Sequence, residues 1–503
     1  MATRRLRVFK RWMKSQGIEW SDALEFTWSP EEGFAVRALC ELKEGDVVAN
    51  IPKESCLTIK TSGASEMIEA ADLGGNLGLA VAIMYERSLG KDSPWVGYLQ
   101  LLPDQECVPI VWTLNEVDEL LCGTELHKTV QEDRTLICED WKENILPLLD
   151  IAPSKLNPKF FGIEQYFAAK SLITSRAFEI DDYHGFGMVP LADLFNHKTG
   201  AEDVHFTSSS SHYESDSDPD GDYTDEEPLT QNSSIDDSEL NTVLTEKSSG
   251  SDLESCSVTG DDPSILEMIM VKDVSIGSEV FNTYGLMGNA ALLHRYGFTE
   301  QDNSYDIVNI DLELVLKWSS SLFSGRYSRT RLSLWRRLGY SACASQDSEY
   351  FEVSFNGEPQ IELLILLYII FLPEDTYCEF DLGSSMAGKF YASSKMTDLE
   401  HKIFLNKTSD VNKKYLLTRN VCDALLALAD SRESLYGPNS IDDDVEALRR
   451  CSCVKEKKLY HSLVLRISER KILEKLRSYA AQPFKRVKLK PGSGRKKLKK
   501  GNK

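Results

Sequence analysis

Near the start of the chain, basic Arg4, Arg5, Arg7, Lys10, Arg11 and Lys14 alternate with apolar Leu6, Phe9, Trp12 and Met13 at helical spacing. That pattern predicts an amphipathic first helix over residues 4–16. Residues 34–51 instead mix glycine, β-branched and polar positions around Glu44-Gly45-Asp46, which reads as two short strands and a turn. Helical periodicity returns over 76–103, 115–150 and 163–178, and strand-like patches follow at 188–195, 266–271 and 279–284. From about residue 310 the pattern is mainly helical, broken by a β-like stretch at 350–355 that ends in Asn356-Gly357. A last helix is expected near 459–480, with Leu463, Ile467, Ile472 and Leu476 on its apolar stripe. No internal repeat is visible. Strands interrupted by a helical insertion and followed by a helical unit predict an α+β fold in two domains, not a regular βαβ alternation.

Composition narrows the class. A chain of 503 residues exceeds what one core usually supports, and 42% hydrophobic with 27% charged residues excludes a disordered, collagenous or disulfide-stapled chain. The longest apolar run, Leu363 to Leu372, is stopped by Pro373 at half the roughly 20 residues a bilayer span needs, so no membrane helix is expected. The 11 cysteines are scattered, with only Cys451 and Cys453 close together. Reduced thiols are the expectation, and the sequons at Asn232 and Asn406 read as chance matches.

The net charge of -22 is unevenly spread. Residues 207–262 hold 16 acidic residues against Lys247 alone, and 484–503 hold ten basic residues and no acid. The acidic segment has too few large apolar residues to offset the entropy of ordering, which predicts a disordered loop. Its serines before acids, such as Ser215 and Ser217, suit acid-directed kinases. The basic tail fits a nuclear localisation signal or a nucleic-acid-contacting arm, so the nucleus is expected, with the cytoplasm as a second compartment. The rest of the chain is mildly acidic, which restricts any nucleic-acid contact to that tail. No Walker A motif, strand-anchored G-x-G-x-x-G or H-E-x-x-H is present, and the eight histidines show no ligand spacing, so no metal is expected.

Three separated patches carry candidate chemistry: Glu32-Gly33-Phe34-Ala35-Val36-Arg37-Ala38, Asp193-Leu194-Phe195-Asn196-His197, and Asn282-Thr283-Tyr284-Gly285 followed by Arg295-Tyr296-Gly297-Phe298. Singly, each has an ordinary reading as a turn, a capping pair or strand-end packing. Together and in this order they resemble the SET domain of protein lysine methyltransferases. More closely, the chain resembles the Rubisco large-subunit-methyltransferase-like branch, over about residues 1–480. Supporting stretches are Ser93-Pro94-Trp95-Val96-Gly97-Tyr98, Ser175-Arg176-Ala177-Phe178 and the 465–473 part of the last helix.

The resemblance implies a SET β-fold over 1–299 with a helical insertion at about 68–178, the acidic loop at 207–262, a helical substrate-binding domain over 300–483 and a basic tail from 484. It implies S-adenosyl-L-methionine as methyl donor and a protein carrying the target lysine as partner, with no membrane and no metal; it leaves oligomeric state open. By motif match, Glu32 and Phe34 would hold the donor largely through backbone, Arg176 would approach its carboxylate, and Asp193 would contact it. Asn196 and His197 would hold its adenine and amino-acid ends. Tyr284 would stand at the methyl-transfer centre, touching donor and incoming amine, and Tyr296 and Phe298 would line the lysine channel, where a π-face accepts a cationic amine.

Two departures from the pattern stand out: Ala35 replaces the usual second glycine of the first motif, and Asp203 stands where relatives often have Asn. Neither removes a proposed catalytic group. A chloroplast substrate is disfavoured, since Glu32 already belongs to a motif and 4–16 reads as a folded helix. Methylation of protein histidine, and a catalytically idle SET-fold scaffold, are the alternative readings.

Overall fold

A computed structural model describes residues 2–29, 33–151, 156–208, 264–341, 349–385, 397–405 and 411–485. Most of the acidic segment and the basic tail from residue 486 therefore lie outside the described residues.

The strands are β1 (Glu19–Trp20), β2 (Leu24–Ser29), β3 (Gly33–Ala38), β4 (Val47–Pro52), β5 (Leu57–Thr58), β6 (Ala177–Asp181), β7 (Gly185–Met188), β8 (Val204–Ser208), β9 (Ile265–Met270), β10 (Val308–Asp311) and β11 (Tyr350–Val353). They form four small antiparallel sheets, ordered β1-β4-β9-β8, β2-β3, β5-β7-β6 and β10-β11. The first helix, Ala2–Ser15, buries Phe9 and Met13, as its periodicity predicted. Between β5 and β6 the chain is helical, chiefly Gly75–Leu89, Leu126–Asp140 and Ile163–Arg176. After β9 it is helical again, ending in the long helix Lys457–Lys485.

Two strand expectations need correction. Over 188–195 the extended run stops at Met188: Pro190 has no N–H to give a ladder, Leu191 takes φ +79°, and Ala192–Leu194 closes a 3₁₀ turn. The 279–284 segment forms only isolated bridges, Arg37 with Glu279 and His197 with Asn282, because it changes partner every few residues. Conversely, β1, β2, β5, β6, β8 and β10 lie outside the expected strand stretches, and β7 meets one only at Met188.

The apolar interior falls into two large clusters. One packs the first helix, most of the sheets and the insertion, from Leu6 to Val280; the other packs Val308 to Ala480 around helix Ile361–Ile370, buried at seven of its ten residues. A smaller cluster, including Trp112, Leu126, Leu293 and Leu465, ties insertion, core and last helix together. Beside it lies a buried polar junction. Arg432 donates to Asn309 O (3.0 Å), to Gly123 O and to Glu125 Oε1 (3.0 Å), while Glu469 Oε2 accepts from the Tyr436 hydroxyl at 2.6 Å.

Burial, reinforced by the Glu125 carboxylate and opposed by Arg432, pushes Glu469 up to about 8. Its folded pKa thus lies above its unfolded value, so this stabilisation is complete below about pH 4.5 and is lost as pH rises through about 8. Glu469→Gln should therefore flatten the fall in melting temperature across that window; parallel profiles for variant and wild type would remove Glu469 as its source.

The acidic segment leaves and re-enters at paired strand ends, since Ser208 faces Leu266 and Thr207 faces Glu267 across β8 and β9. Replacing 209–263 by a short Gly/Ser turn should keep a single cooperative melt within about 1 kcal/mol, because loop-closure cost changes only logarithmically with length. Loss of the calorimetric transition would show that the segment is required for folding.

Candidate functional site

The site is assembled by the 278–284 segment. On one side it runs along β3, with Val280 N donating to Val36 O (2.8 Å) and Ala38 N donating to Ser278 O (2.9 Å). On the other it meets the Asn196-His197 turn, where Asn282 N donates to Asn196 O (2.9 Å). Asn196 closes the crossing: its Nδ2 donates to Phe34 O at 3.0 Å and to Glu279 Oε1 at 2.8 Å. The three sequence patches therefore meet at one place.

Tyr284 follows directly. Its amide donates to His197 Nδ1 (2.9 Å), so that nitrogen carries no proton, and its hydroxyl makes a long hydrogen bond to Phe195 O (3.4 Å). The Tyr284 ring stacks with His197 at 4.9 Å and with Tyr296 at 4.3 Å. Phe298 lies 6.1 Å from His197 and 6.3 Å from Tyr296. Burial raises the Tyr284 and Tyr296 hydroxyls above their ordinary range and lowers His197, so the cluster is neutral at pH 7.

A glycine stands between Tyr296 and Phe298, at position 297, for two reasons. It ends helix Asn289–Tyr296 in the left-handed conformation (φ +76°), and a Cβ there would sit 2.9 Å from Cys107 O. Any side chain there would force residue 297 or the Cys107–Val108 backbone to shift.

Beyond Phe195 the same stretch of chain reaches a cavity of ≈ 310 Å³ lined by Gly33, Phe34, Glu106, Arg176, Asp193 and Asn196, with Trp28, Leu101, Leu102 and Pro103 as apolar wall. Arg176 sits at the junction of its helix with β6. Its Nε donates to Glu106 Oε1 at 2.6 Å, and Nη1 donates to Asp193 O (3.1 Å) and Oδ2 (3.3 Å). Tyr98, fully buried, donates its hydroxyl to the same Asp193 Oδ2 at 2.8 Å.

Burial pushes the Asp193 carboxyl up, against Arg176 and Tyr98, which hold the anion. For Arg176 burial acts downward but is outweighed by Glu106 and Asp193, which keep it protonated. Asp193 Oδ1 is buried with no hydrogen-bond partner among the described residues. An orphaned anionic oxygen beside a forked guanidinium suits a ligand with both an ammonium and a carboxylate, and the adjoining apolar wall suits a flat heterocycle. S-adenosyl-L-methionine has these features.

Of the sequence-derived residues, Phe34, Arg176, Asp193 and Asn196 line this cavity, while His197, Tyr284, Tyr296 and Phe298 form the aromatic cluster beside it. Glu32 lies outside the described residues. Both donor hydrogens of Asn196 are committed to Phe34 and Glu279, which leaves its main chain for a ligand. Sequence reasoning missed Glu106 and gave Tyr98 no role; nothing periodic marks Glu106, whereas Tyr98 sits in a Trp-Val-Gly-Tyr stretch already singled out. A larger cavity of ≈ 1270 Å³ lies between the insertion and the helical half, but major charges in its walls are already paired, Arg336 with Glu349 and Arg432 with Glu125. The smaller cavity has the convergent groups.

Among the described residues no group of three or more His, Cys, Asp or Glu could hold a metal ion, and no helix is long and apolar enough to cross a membrane.

Three segments crossing at one turn, with an aromatic cluster on one side and a charged cavity on the other, give this chain the SET-domain fold. Within that class, its architecture is that of the Rubisco large-subunit methyltransferase branch. The SET domain of LSMT bound to lysine and AdoHcy matches with a TM-score of 0.63 at 19% identity, over 97% of this chain and 93% of that one. Rubisco LSMT bound to AdoMet matches with a TM-score of 0.61 at 18% identity, over 96% and 93%. Among curated proteins, the chain is 27% identical over 366 residues to ribosomal lysine N-methyltransferase 3 of Saccharomyces cerevisiae, covering 60% of this chain and 66% of that protein. It is 25% identical over 335 residues to N-lysine methyltransferase setd6 of Salmo salar, covering 62% of each. The chain thus spans just under two thirds of the length of these two relatives. No protein-family model matches it.

Proposed function

We propose that this chain is an S-adenosyl-L-methionine-dependent protein-lysine N-methyltransferase acting on a ribosomal or other nuclear or cytoplasmic protein. The observation that carries the reading is the link between cavity and aromatic cluster: residues 193–197 border both, and Tyr284 is bonded to that stretch through its amide and its hydroxyl. The names of the yeast and salmon relatives support lysine as the acceptor and, for the yeast protein, the ribosome as its source.

In this reading the donor supplies an activated methyl group, held by Arg176, Asp193, the backbone around Phe34 and Asn196, and Glu32 by motif match. The protein's task toward lysine is to deliver a neutral amine in line. Removing the proton from a free lysine at pH 7 costs about 4.6 kcal/mol. The walls formed by Tyr284, Tyr296, Phe298 and neutral His197 disfavour the ammonium by desolvation, so no side-chain base is required. The raised pKa keeps Tyr284 protonated; its hydroxyl proton points toward Phe195 O and its lone pairs remain for an amine N–H. Turnover then depends on holding nitrogen and methyl in line. We assign residues 1–299 to the SET core and 300–483 to a substrate-binding half.

The test is incubation of the full chain with methyl-labelled S-adenosyl-L-methionine and protein extract from cells lacking it, followed by amino-acid analysis. Labelled methyl-lysine is expected. Labelled methyl-histidine would replace the acceptor, and no transfer would leave the scaffold reading.

A further inference from the structure

We infer that helix Lys457–Lys485 sets the width of the aromatic channel, with His461 as the positioning residue that fixes Phe298 through Thr299. The catalytic consequence rests on the methyltransferase reading above; the structural one does not.

Thr299 immediately follows Phe298 and belongs to no helix or strand, so its amide has no ladder partner. That amide donates instead to His461 Nδ1 at 3.1 Å, and the Thr299 hydroxyl lies 2.9 Å from the same nitrogen. The bond requires an unprotonated Nδ1. Burial, with Lys457 adding, lowers His461 to about 4, so this acceptor persists at neutral pH. His461 is only 7% exposed, which shields the bond from competing water.

A second strut rises from the same helix. Ser468 donates to Asp306, which accepts from Asn289 Nδ2 at 2.8 Å, and Asn289 in turn bonds Glu300 through its Oδ1 (2.7 Å) and Nδ2 (2.8 Å). The Glu300 carboxylate accepts from Thr199 N at 3.0 Å, two residues past His197. The segment carrying Tyr296 and Phe298 is therefore clamped at residues 289, 299 and 300. A leucine could fill much of the space of the His461 ring; what it cannot supply is the acceptor that anchors the backbone next to Phe298.

The experiment compares the wild-type full chain with His461→Leu and His461→Asn, the latter keeping an acceptor oxygen near the Nδ1 position. Three measurements are made: the initial rate of methyl transfer into the extract described above at saturating donor, S-adenosylhomocysteine affinity by calorimetry, and the fluorine spectrum of protein carrying 4-fluorophenylalanine at position 298. For His461→Leu the rate should fall on the order of 10-fold, as expected for a slightly misplaced reacting group. Donor-product affinity should stay within about twofold, and the fluorine resonance should shift or broaden; His461→Asn should recover rate and spectrum. Should His461→Leu fold poorly, failure of His461→Asn to restore the wild-type spectrum would overturn the inference. So would a His461→Leu protein with wild-type spectrum and rate. A wild-type chain that transfers no methyl, alongside a displaced resonance in His461→Leu, would sink the enzymatic reading and leave the positioning role standing.

Discussion

Tyr284→Phe is expected to lower turnover by on the order of 10²- to 10³-fold while leaving S-adenosylhomocysteine affinity within about twofold, the pattern for losing one preorganised polar group. The reason is geometric. Phenylalanine keeps the stacks on His197 and Tyr296 and the backbone bond from residue 284 to His197 Nδ1, so the crossing of segments survives. It removes only the hydroxyl, whose one hydrogen-bond partner among the described residues is Phe195 O at 3.4 Å, too long a bond to matter much for stability. Label transfer and calorimetry on the same preparation check this, and an unchanged rate would take Tyr284 out of the mechanism.

Arg176→Leu should have a different signature. The guanidinium lies between Glu106 and Asp193, whose side chains are 16% and 0% exposed, and its loss leaves two carboxylates without their cation. Breaking such a buried pair costs about 3–5 kcal/mol, so a large drop in denaturant midpoint is expected together with loss of donor binding. Arg176→Lys should fold better yet still bind the donor on the order of 10-fold more weakly, since one ammonium cannot reproduce the fork that reaches Glu106, the Asp193 backbone carbonyl and Asp193 Oδ2. Wild-type affinity in Arg176→Lys would show that charge alone suffices. Together the two variants separate a group that orients chemistry from one that builds the pocket.

How much of this was legible beforehand depends on the range of each interaction. Helices announced themselves because their periodicity is local: the first helix, the insertion helices and the last helix all lie near their expected positions. Short strands did not. β8 and β10 run five and four residues with partners far along the chain, β9 and β11, and even β2, which pairs with the next strand β3, has its pairing decided by what packs across from it. The 188–195 stretch misled because its apolar run is buried, while Pro190 and the positive φ of Leu191 turn the chain so that Asp193 meets Arg176. A residue held at such a φ is strained by about 1–3 kcal/mol, which the surrounding contacts must sustain.

The sequence by itself determined the helical segments and the concentration of charge in an acidic stretch and a basic tail. These are properties of composition and of neighbours a few positions apart. Only the tertiary structure decided that Asn196 bonds Phe34 across 162 positions, that Glu106 pairs with Arg176 across 70, and that His461 anchors Thr299 across 162. Such contacts form between groups that have no local signal, because which buried donor meets which acceptor is settled by the packing of whole elements against one another.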